Sequence, residues 1–251
     1  MTPWYESAFG REYLALYPHR DDAEAERDVR SIVDLIAPNK DEPLLDLGCG
    51  AGRHLMALHR AGFTALVGLD LSADLLAVAR EQLDEIGAGS VELVHSDMRA
   101  IPYIARFATI LSLFTSFGYF AEAGDDLAVL AGVNRALKKG GTFLIDTLNR
   151  DHVIAKLVPR EEETLQDRVL HIERRLSVDR RRVEKETHII EKDGTERVFR
   201  ESVRMYTGLE MENMLRETGF EKVRPYGSLR GDSYRPESER LVIVAEKGGR
   251  P

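Results

Sequence analysis

The residues best equipped for chemistry lie in one run, Leu45-Asp46-Leu47-Gly48-Cys49-Gly50-Ala51-Gly52. Glycines at alternate positions let a backbone turn tightly and lie close against a ligand. A helix starting near Arg53 would point its free N–H groups at the same place. Two further signals follow: Asp70, and then Ser96-Asp97-Met98. A carboxylate at Asp70 can take both hydroxyls of a ribose. The following Leu71-Ser72 makes a plain helix cap an equally simple use of that residue. Asp97 can accept from an exocyclic adenine amine, and Met98 can cover a purine face. In this order, at the carboxyl ends of successive strands, the three signals predict a nucleoside-bearing ligand. It is not a dinucleotide of the G-x-G-x-x-G type, because Arg53 stands where the third glycine belongs, and no G-x-x-x-x-G-K-[ST] phosphate loop occurs.

These residues need a scaffold that brings strand ends together. Short apolar strands are expected at 43–47, 65–69, 91–95, 107–113 and 142–147, with helices at 53–61, 73–86 and 125–137 between them. Strands alternating with crossover helices imply a parallel sheet covered on both faces. Ahead of this unit, residues 1–40 read as a helical lid, with Tyr5, Phe9, Tyr13 and Tyr17 on one face and a second helix over 21–37. After a short helix at 151–157, the period changes from 3.6 to 2. Leu170, Ile172, Leu176 and Val178, then Val183, Thr187 and Ile189, then Phe199, Val203 and Met205 fall at strand spacing, with Asp193-Gly194 as a hairpin turn. That predicts a three-stranded antiparallel meander over 151–206, roofing the site or serving a dimer contact. Thr207 and Glu210 match a capping box for a helix up to Thr218. Strands at 221–228 and 240–246 close the chain. The expected fold is therefore α/β, with the main domain at 41–150 and 207–251.

Composition narrows the function classes. The chain has 251 residues and 43% hydrophobic content, enough for a full core without staples. No run of about 18 apolar residues occurs, so no membrane span is expected. No signal peptide pattern is visible at the N-terminus. A single cysteine excludes an internal disulfide framework and a cysteine-rich metal site, and the expected setting is cytoplasmic. The net charge of −8 has the wrong sign for broad capture of phosphate backbones, so a nucleic-acid partner is disfavoured. The same-sign runs 161–163 and 180–182 read as solvated surface, and no cluster supports a metal.

The acidic-x-G-x-G-x-G run with Asp70 and Asp97 resembles class I S-adenosylmethionine-dependent methyltransferases. The resemblance covers 43–147 and resumes at 207–247. It implies a Rossmann-like doubly wound seven-stranded sheet, its last strand antiparallel between the fifth and sixth, and S-adenosyl-L-methionine as cofactor. It also implies roles. Gly48 and Gly50 would pass beside the methionine part, Asp46 would sit near its amino group, and Cys49 in the same turn reads as a small filler whose N–H serves the cofactor rather than as a nucleophile. Asp70 would hold the ribose, and Leu71, Asp97 and Met98 would surround the adenine. The Leu113 carbonyl would approach the amino group. The outer parts resemble bacterial small-molecule methyltransferases of the sugar-amine and glycine N-methylating types. In such enzymes a lid tyrosine reaches the cofactor; Tyr13 is the first candidate here and Tyr5 the second.

The acceptor side is less defined. Tyr119, Asn149, Arg174, Tyr206 and Tyr234 are the expected substrate walls. The [DN]-P-P-[YF] run of enzymes that methylate amide or base nitrogens is absent after the fourth strand. The only candidates for a catalytic base are the weak ones His152 and His19, so a neutral amine, which needs orientation more than a base, is the preferred acceptor. The competing readings are an RNA or protein methyltransferase touching phosphates through Arg180-Arg181-Arg182, and a non-catalytic cofactor-binding protein.

Overall fold

Leu44, Leu45 and Leu47 are buried on both faces of a four-residue strand, because helices cover both sides of the sheet that strand enters. The computed structural model describes residues 3–10, 14, 22–165 and 168–249. In chain order these form α1 (Trp4–Ala8), α2 (Asp22–Ile36), β1 (Leu44–Leu47), α3 (Arg53–Arg60), β2 (Leu66–Asp70), α4 (Ala73–Glu85) and β3 (Glu92–His95). Then come β4 (Phe107–Ser112), α5 (Ala123–Ala136), β5 (Leu137–Leu148) and α6 (Arg150–Lys156). A second group, β6 (Arg160–Leu165), β7 (Arg168–Leu176), β8 (Arg182–Ile190) and β9 (Glu196–Arg204), precedes α7 (Gly208–Glu217), β10 (Phe220–Tyr226) and β11 (Arg240–Lys247).

The main sheet has seven strands in the order β10-β11-β5-β4-β1-β2-β3. Strands β1 to β5 run parallel, and β11 lies antiparallel between β5 and β10. This is the Rossmann-like α/β architecture expected from the sequence. Alternation along the strands sends Leu45, Leu47, Val67 and Ile110 to one face and Leu44, Leu66, Leu111 and Leu144 to the other, building one core on each side. The chain winds outward from β1 to β3, then returns to start β4 on β1's other side. The crevice at that reversal is where open α/β sheets take ligands.

The second sheet has four antiparallel strands rather than three. The additional strand, β6, carries Arg-Glu-Glu-Glu-Thr-Leu and shows no apolar alternation, so its sequence reads as surface. It is an exposed edge joined to β7 by backbone pairing and by ion pairs of Glu161 with Arg174 (2.8 Å) and of Arg160 with Glu173 (3.1 Å). Charge on such an edge blocks pairing with other chains. Leu170, Ile172 and Ile189 pack with Leu165 and Phe199 on the inner face, whereas Val178 stands fully exposed at a turn.

Arg182 departs from its expected solvated role. Its half-buried guanidinium donates to the carbonyls of Gly118, Tyr119 and Phe120 at 3.4, 3.2 and 2.9 Å, and the Arg204 N–H donates to Gly118 O at 2.7 Å. The small sheet thus braces the loop after β4. The capping box on α7 forms as read, with reciprocal Thr207 and Glu210 bonds. Among the described residues no helix is long and apolar enough to cross a membrane.

Candidate functional site

Strand β1 delivers Asp46 and the glycine turn to the crevice. Gly48 has φ +79°, and a Cβ there would stand 2.7 Å from the Cβ of Ser116. Only glycine allows this turn to lie so close to the loop after β4. The N–H groups of Gly48 and Cys49 donate to Leu69 O at 2.8 and 3.1 Å, tying the turn to β2. The Cys49 N–H is therefore committed within the fold rather than offered to a ligand. Burial pushes the Cys49 thiol well above its ordinary value, which keeps it unreactive.

Asp70 serves both readings of it. Its Oδ2 accepts from the Gly50 N–H at 2.7 Å and its Oδ1 from the Ser72 N–H at 2.8 Å. Each oxygen keeps lone-pair capacity toward the cavity it lines. Burial raises its pKa, opposed by the backbone N–H groups. Asp97 also lines the cavity, but Arg99 grips both its oxygens, at 3.1 Å from Nε and 2.6 Å from Nη2. Burial alone would raise the Asp97 carboxyl; these bonds hold it below its ordinary value.

The cavity has a volume of about 360 Å³, within the range of small-molecule sites. Asp46, the glycine turn, Asp70, Leu71, Asp97, Met98, Leu113 and Tyr119 all border it. From the lid, Tyr5 and Phe9 join them; Phe9 stacks on Tyr119 with ring centroids 5.4 Å apart, and Tyr5 meets Phe120 edge-on. Tyr13, Tyr17 and His19 lie outside the described residues.

Two polar atoms in this wall are buried without a hydrogen-bond partner, Asp46 Oδ2 and Arg53 Nη2. The other side of the Arg53 guanidinium is held by Glu24 of α2, and its plane lies 4.7 Å over the Phe114 ring. Burial, partly offset by His54 and Arg53, pushes Asp46 up to about 6. His54 also borders the cavity and is bonded to Asp28 at 3.2 Å. Arg53 was visible in the sequence as the residue that breaks the dinucleotide fingerprint, yet nothing there marked it as part of the cavity wall.

The other expected substrate residues are placed elsewhere. Asn149 is fully buried, and its amide donates to the carbonyls of Arg235, Pro236 and Ser238, fastening that loop. Tyr234 donates to Asn149 Oδ1 at 3.2 Å. Tyr206 donates to the buried Asp126 at 2.6 Å. Arg174 faces a second cavity, of about 430 Å³, on the small sheet. His152 bonds the Glu237 carbonyl at 3.0 Å. None of these five borders the first cavity; Asn149, Tyr234, Tyr206 and His152 are held by polar partners 80 or more residues away, and Arg174 pairs with Glu161 on the adjacent strand. Among the described residues no group of three or more metal-ligating side chains gathers.

Comparison with known proteins gives this geometry a family. The profile of the methyltransferase domain matches residues 44–141. This part of the chain is a methyltransferase domain. The chain is 32% identical over 117 residues to dTDP-3-amino-3,4,6-trideoxy-alpha-D-glucopyranose N,N-dimethyltransferase of Streptomyces venezuelae, covering 46% of this chain and 47% of that protein. A longer, weaker likeness runs to the cypemycin N-terminal methyltransferase of a Streptomyces species, 26% identical over 230 residues, with 84% and 85% coverage. The chain spans about half the length of the first curated relatives it matches, which include an O-methyltransferase of ubiquinone biosynthesis beside sugar N,N-dimethyltransferases. Beyond the methyltransferase domain, the whole fold matches a solved S-adenosylmethionine-dependent methyltransferase from Clostridium acetobutylicum, with TM-score 0.81, 17% identity and coverage of 95% and 98%.

Proposed function

We propose that this chain is an S-adenosylmethionine-dependent methyltransferase that places a methyl group on the nitrogen of a small-molecule acceptor. The reading rests on two residues of opposite charge that border one cavity, Asp46 and Arg53, each with a buried atom, Oδ2 and Nη2, that has no hydrogen-bond partner. A buried polar atom without a hydrogen-bond partner is expensive, and a ligand carrying both signs would relieve both atoms. A methionine end offers an ammonium to Asp46 and a carboxylate to Arg53. Asp70 takes the ribose hydroxyls on its remaining lone pairs, and Leu71 and Met98 flank the base.

When bound, the cofactor supplies an electrophilic methyl group on a sulfonium. The protein's part is to align a nucleophile with it and keep water out, and alignment alone is worth about 7–11 kcal/mol. Tyr5, Phe9, Tyr119 and Phe120 supply an aromatic wall for that purpose. A neutral amine needs no base to react. The one histidine bordering the cavity among the described residues, His54, is committed to Asp28, which fits nitrogen better than a hydroxyl acceptor. Two of the curated relatives, named as an amino-sugar N,N-dimethyltransferase and an N-terminal methyltransferase, support the same preference, while a third is named as an O-methyltransferase. The macromolecular alternative loses one cation of its Arg180-Arg181-Arg182 turn, since Arg182 is spent on loop carbonyls. In this reading residues 41–150 and 207–251 carry the cofactor, 1–40 form the lid, and 151–206 act as a buttress.

Calorimetric titration with S-adenosylmethionine and S-adenosylhomocysteine tests it. Micromolar binding of both is expected, followed by methyl transfer to amino sugars or small amines in preference to hydroxy compounds. No binding of either overturns the reading.

A further inference from the structure

The loop leaving β4 holds two successive non-glycine residues in the left-handed region, Phe114 at φ +58° and Thr115 at φ +66°. Side chains disfavour that conformation, so it persists only where surrounding bonds enforce it. Here the enforcement comes from two strands far away in sequence. Asp146 of β5 accepts the Phe114 N–H on Oδ2 (3.1 Å), and its main-chain carbonyl accepts the Thr115 N–H (2.9 Å). Arg240, the first residue of β11, donates from Nε to Asp146 Oδ1 (2.8 Å) and from Nη2 to Thr115 Oγ1 (2.8 Å). The Asp146 side chain is 7% exposed.

The strained turn faces the cofactor cradle. Its flanking residue Ser116 donates from Oγ toward Leu113 O (2.9 Å) and Gly48 O (3.3 Å), so the loop rests against the glycine turn. Leu113, Phe114 and Ser116 border the cavity, whereas Thr115, Asp146 and Arg240 do not. The inner residues touch the ligand space, and the outer three only hold them in place.

We propose that Asp146, Arg240 and the Thr115 hydroxyl form a positioning clamp that locks the Phe114–Thr115 turn in its left-handed form and so shapes the cofactor-binding wall. The proposal rests on the methyltransferase reading above, and it assigns part of the site's shape to the antiparallel strand β11. Loss of the Thr115 hydroxyl leaves Arg240 one acceptor short and the strained turn with one bond fewer.

The test compares Thr115→Val, which keeps the side-chain shape without the hydroxyl, with Thr115→Ser, which keeps the hydroxyl. S-adenosylhomocysteine is the calorimetric probe, and thermal melting of each protein reports folding. The expected result is about tenfold weaker binding for Thr115→Val, as for a lost charge-assisted hydrogen bond, with Thr115→Ser close to the parent. Arg240→Gln should resemble Thr115→Val. The Thr115 pair decides the matter even where Arg240→Gln fails to fold, because Thr115 is partly exposed. Equal affinities for Val and Ser variants overturn the clamp while leaving the methyltransferase reading intact. A parent protein that does not bind the probe removes the reading and the clamp together.

Discussion

Asp46 and Arg53 stand at the two ends of one glycine turn, both border the same cavity, and each carries a buried polar atom without a hydrogen-bond partner. Each unbonded atom is costly to bury, and the zwitterionic methionine end of the proposed cofactor would satisfy both. Replacing Asp46 by Asn should weaken S-adenosylhomocysteine binding by about 10- to 100-fold, the worth of one charge-assisted bond to an ammonium. The cofactor-free protein should be as stable as the parent or more so, because a desolvated charge is gone. Calorimetry and thermal melting on the same samples separate the two effects.

Arg53→Met should also weaken cofactor binding, by about tenfold or more, while the hydrophobic stem keeps its packing beside Phe114. Unlike Asp46→Asn it should destabilise the cofactor-free protein, because the bridge to Glu24 of α2 is lost. An unchanged affinity for S-adenosylhomocysteine would remove Arg53 from the site.

The pH response has a sign set by burial. Burial raises Asp46 and Asp126 from 3.8 to about 6 in the folded protein. Between those values the folded state holds more protons than the unfolded chain, so these two groups make stability fall as pH rises through that window. Cofactor affinity should move the other way, since an ammonium binds the ionised Asp46, and it should decline as pH drops below about 6. Melting curves of the cofactor-free protein and titrations at matched pH values check both trends. Asp46→Asn should flatten the pH dependence of binding.

Tyr206→Phe distinguishes a structural from a substrate-binding tyrosine. The Tyr206 hydroxyl supplies the bond to Asp126 Oδ2, and Asp126 Oδ1 is already unsatisfied. Losing the donor should destabilise the fold by about 1–3 kcal/mol. Cofactor affinity should stay within about twofold at temperatures below unfolding, an expected difference far under one hydrogen bond. Denaturant titration and calorimetry give the two numbers.

Gly48→Ala should abolish cofactor binding with the chain still folded. Its positive φ disfavours a side chain, and the added methyl would stand 2.7 Å from Ser116. Relief requires the β4 loop to move off the glycine turn, which reshapes the cavity. Circular dichroism with a binding titration measures this.

Local signals carried well from sequence to structure. The glycine turn, Asp70 and the Thr207 capping box were legible because each depends on neighbours a few residues away or on a periodic pattern, and the antiparallel final strand was expected only from the family resemblance. Strand β6 was not, since an edge strand held by backbone bonds and exposed ion pairs needs no apolar alternation. Arg182 looked like one of three surface cations, yet a cluster of carbonyls brought by another segment buries it. Asn149, Tyr206 and Tyr234 had residue types suited to a substrate wall. Their partners lie 80 or more residues away, and no pattern within the chain announces such a pairing.

The amino-acid sequence alone thus determined the doubly wound sheet and the end of it that carries the ligand groups, because strand periodicity, glycine and helix-cap chemistry act over short range. Tertiary structure alone decided which polar side chains remain available. Burial and long-range pairing consume Asn149, Tyr206 and Arg182, and they leave Asp46 Oδ2 and Arg53 Nη2 without hydrogen-bond partners on two residues that border one cavity. Whether a polar atom is spent or free depends on what packs against it, and that is settled only when distant segments meet.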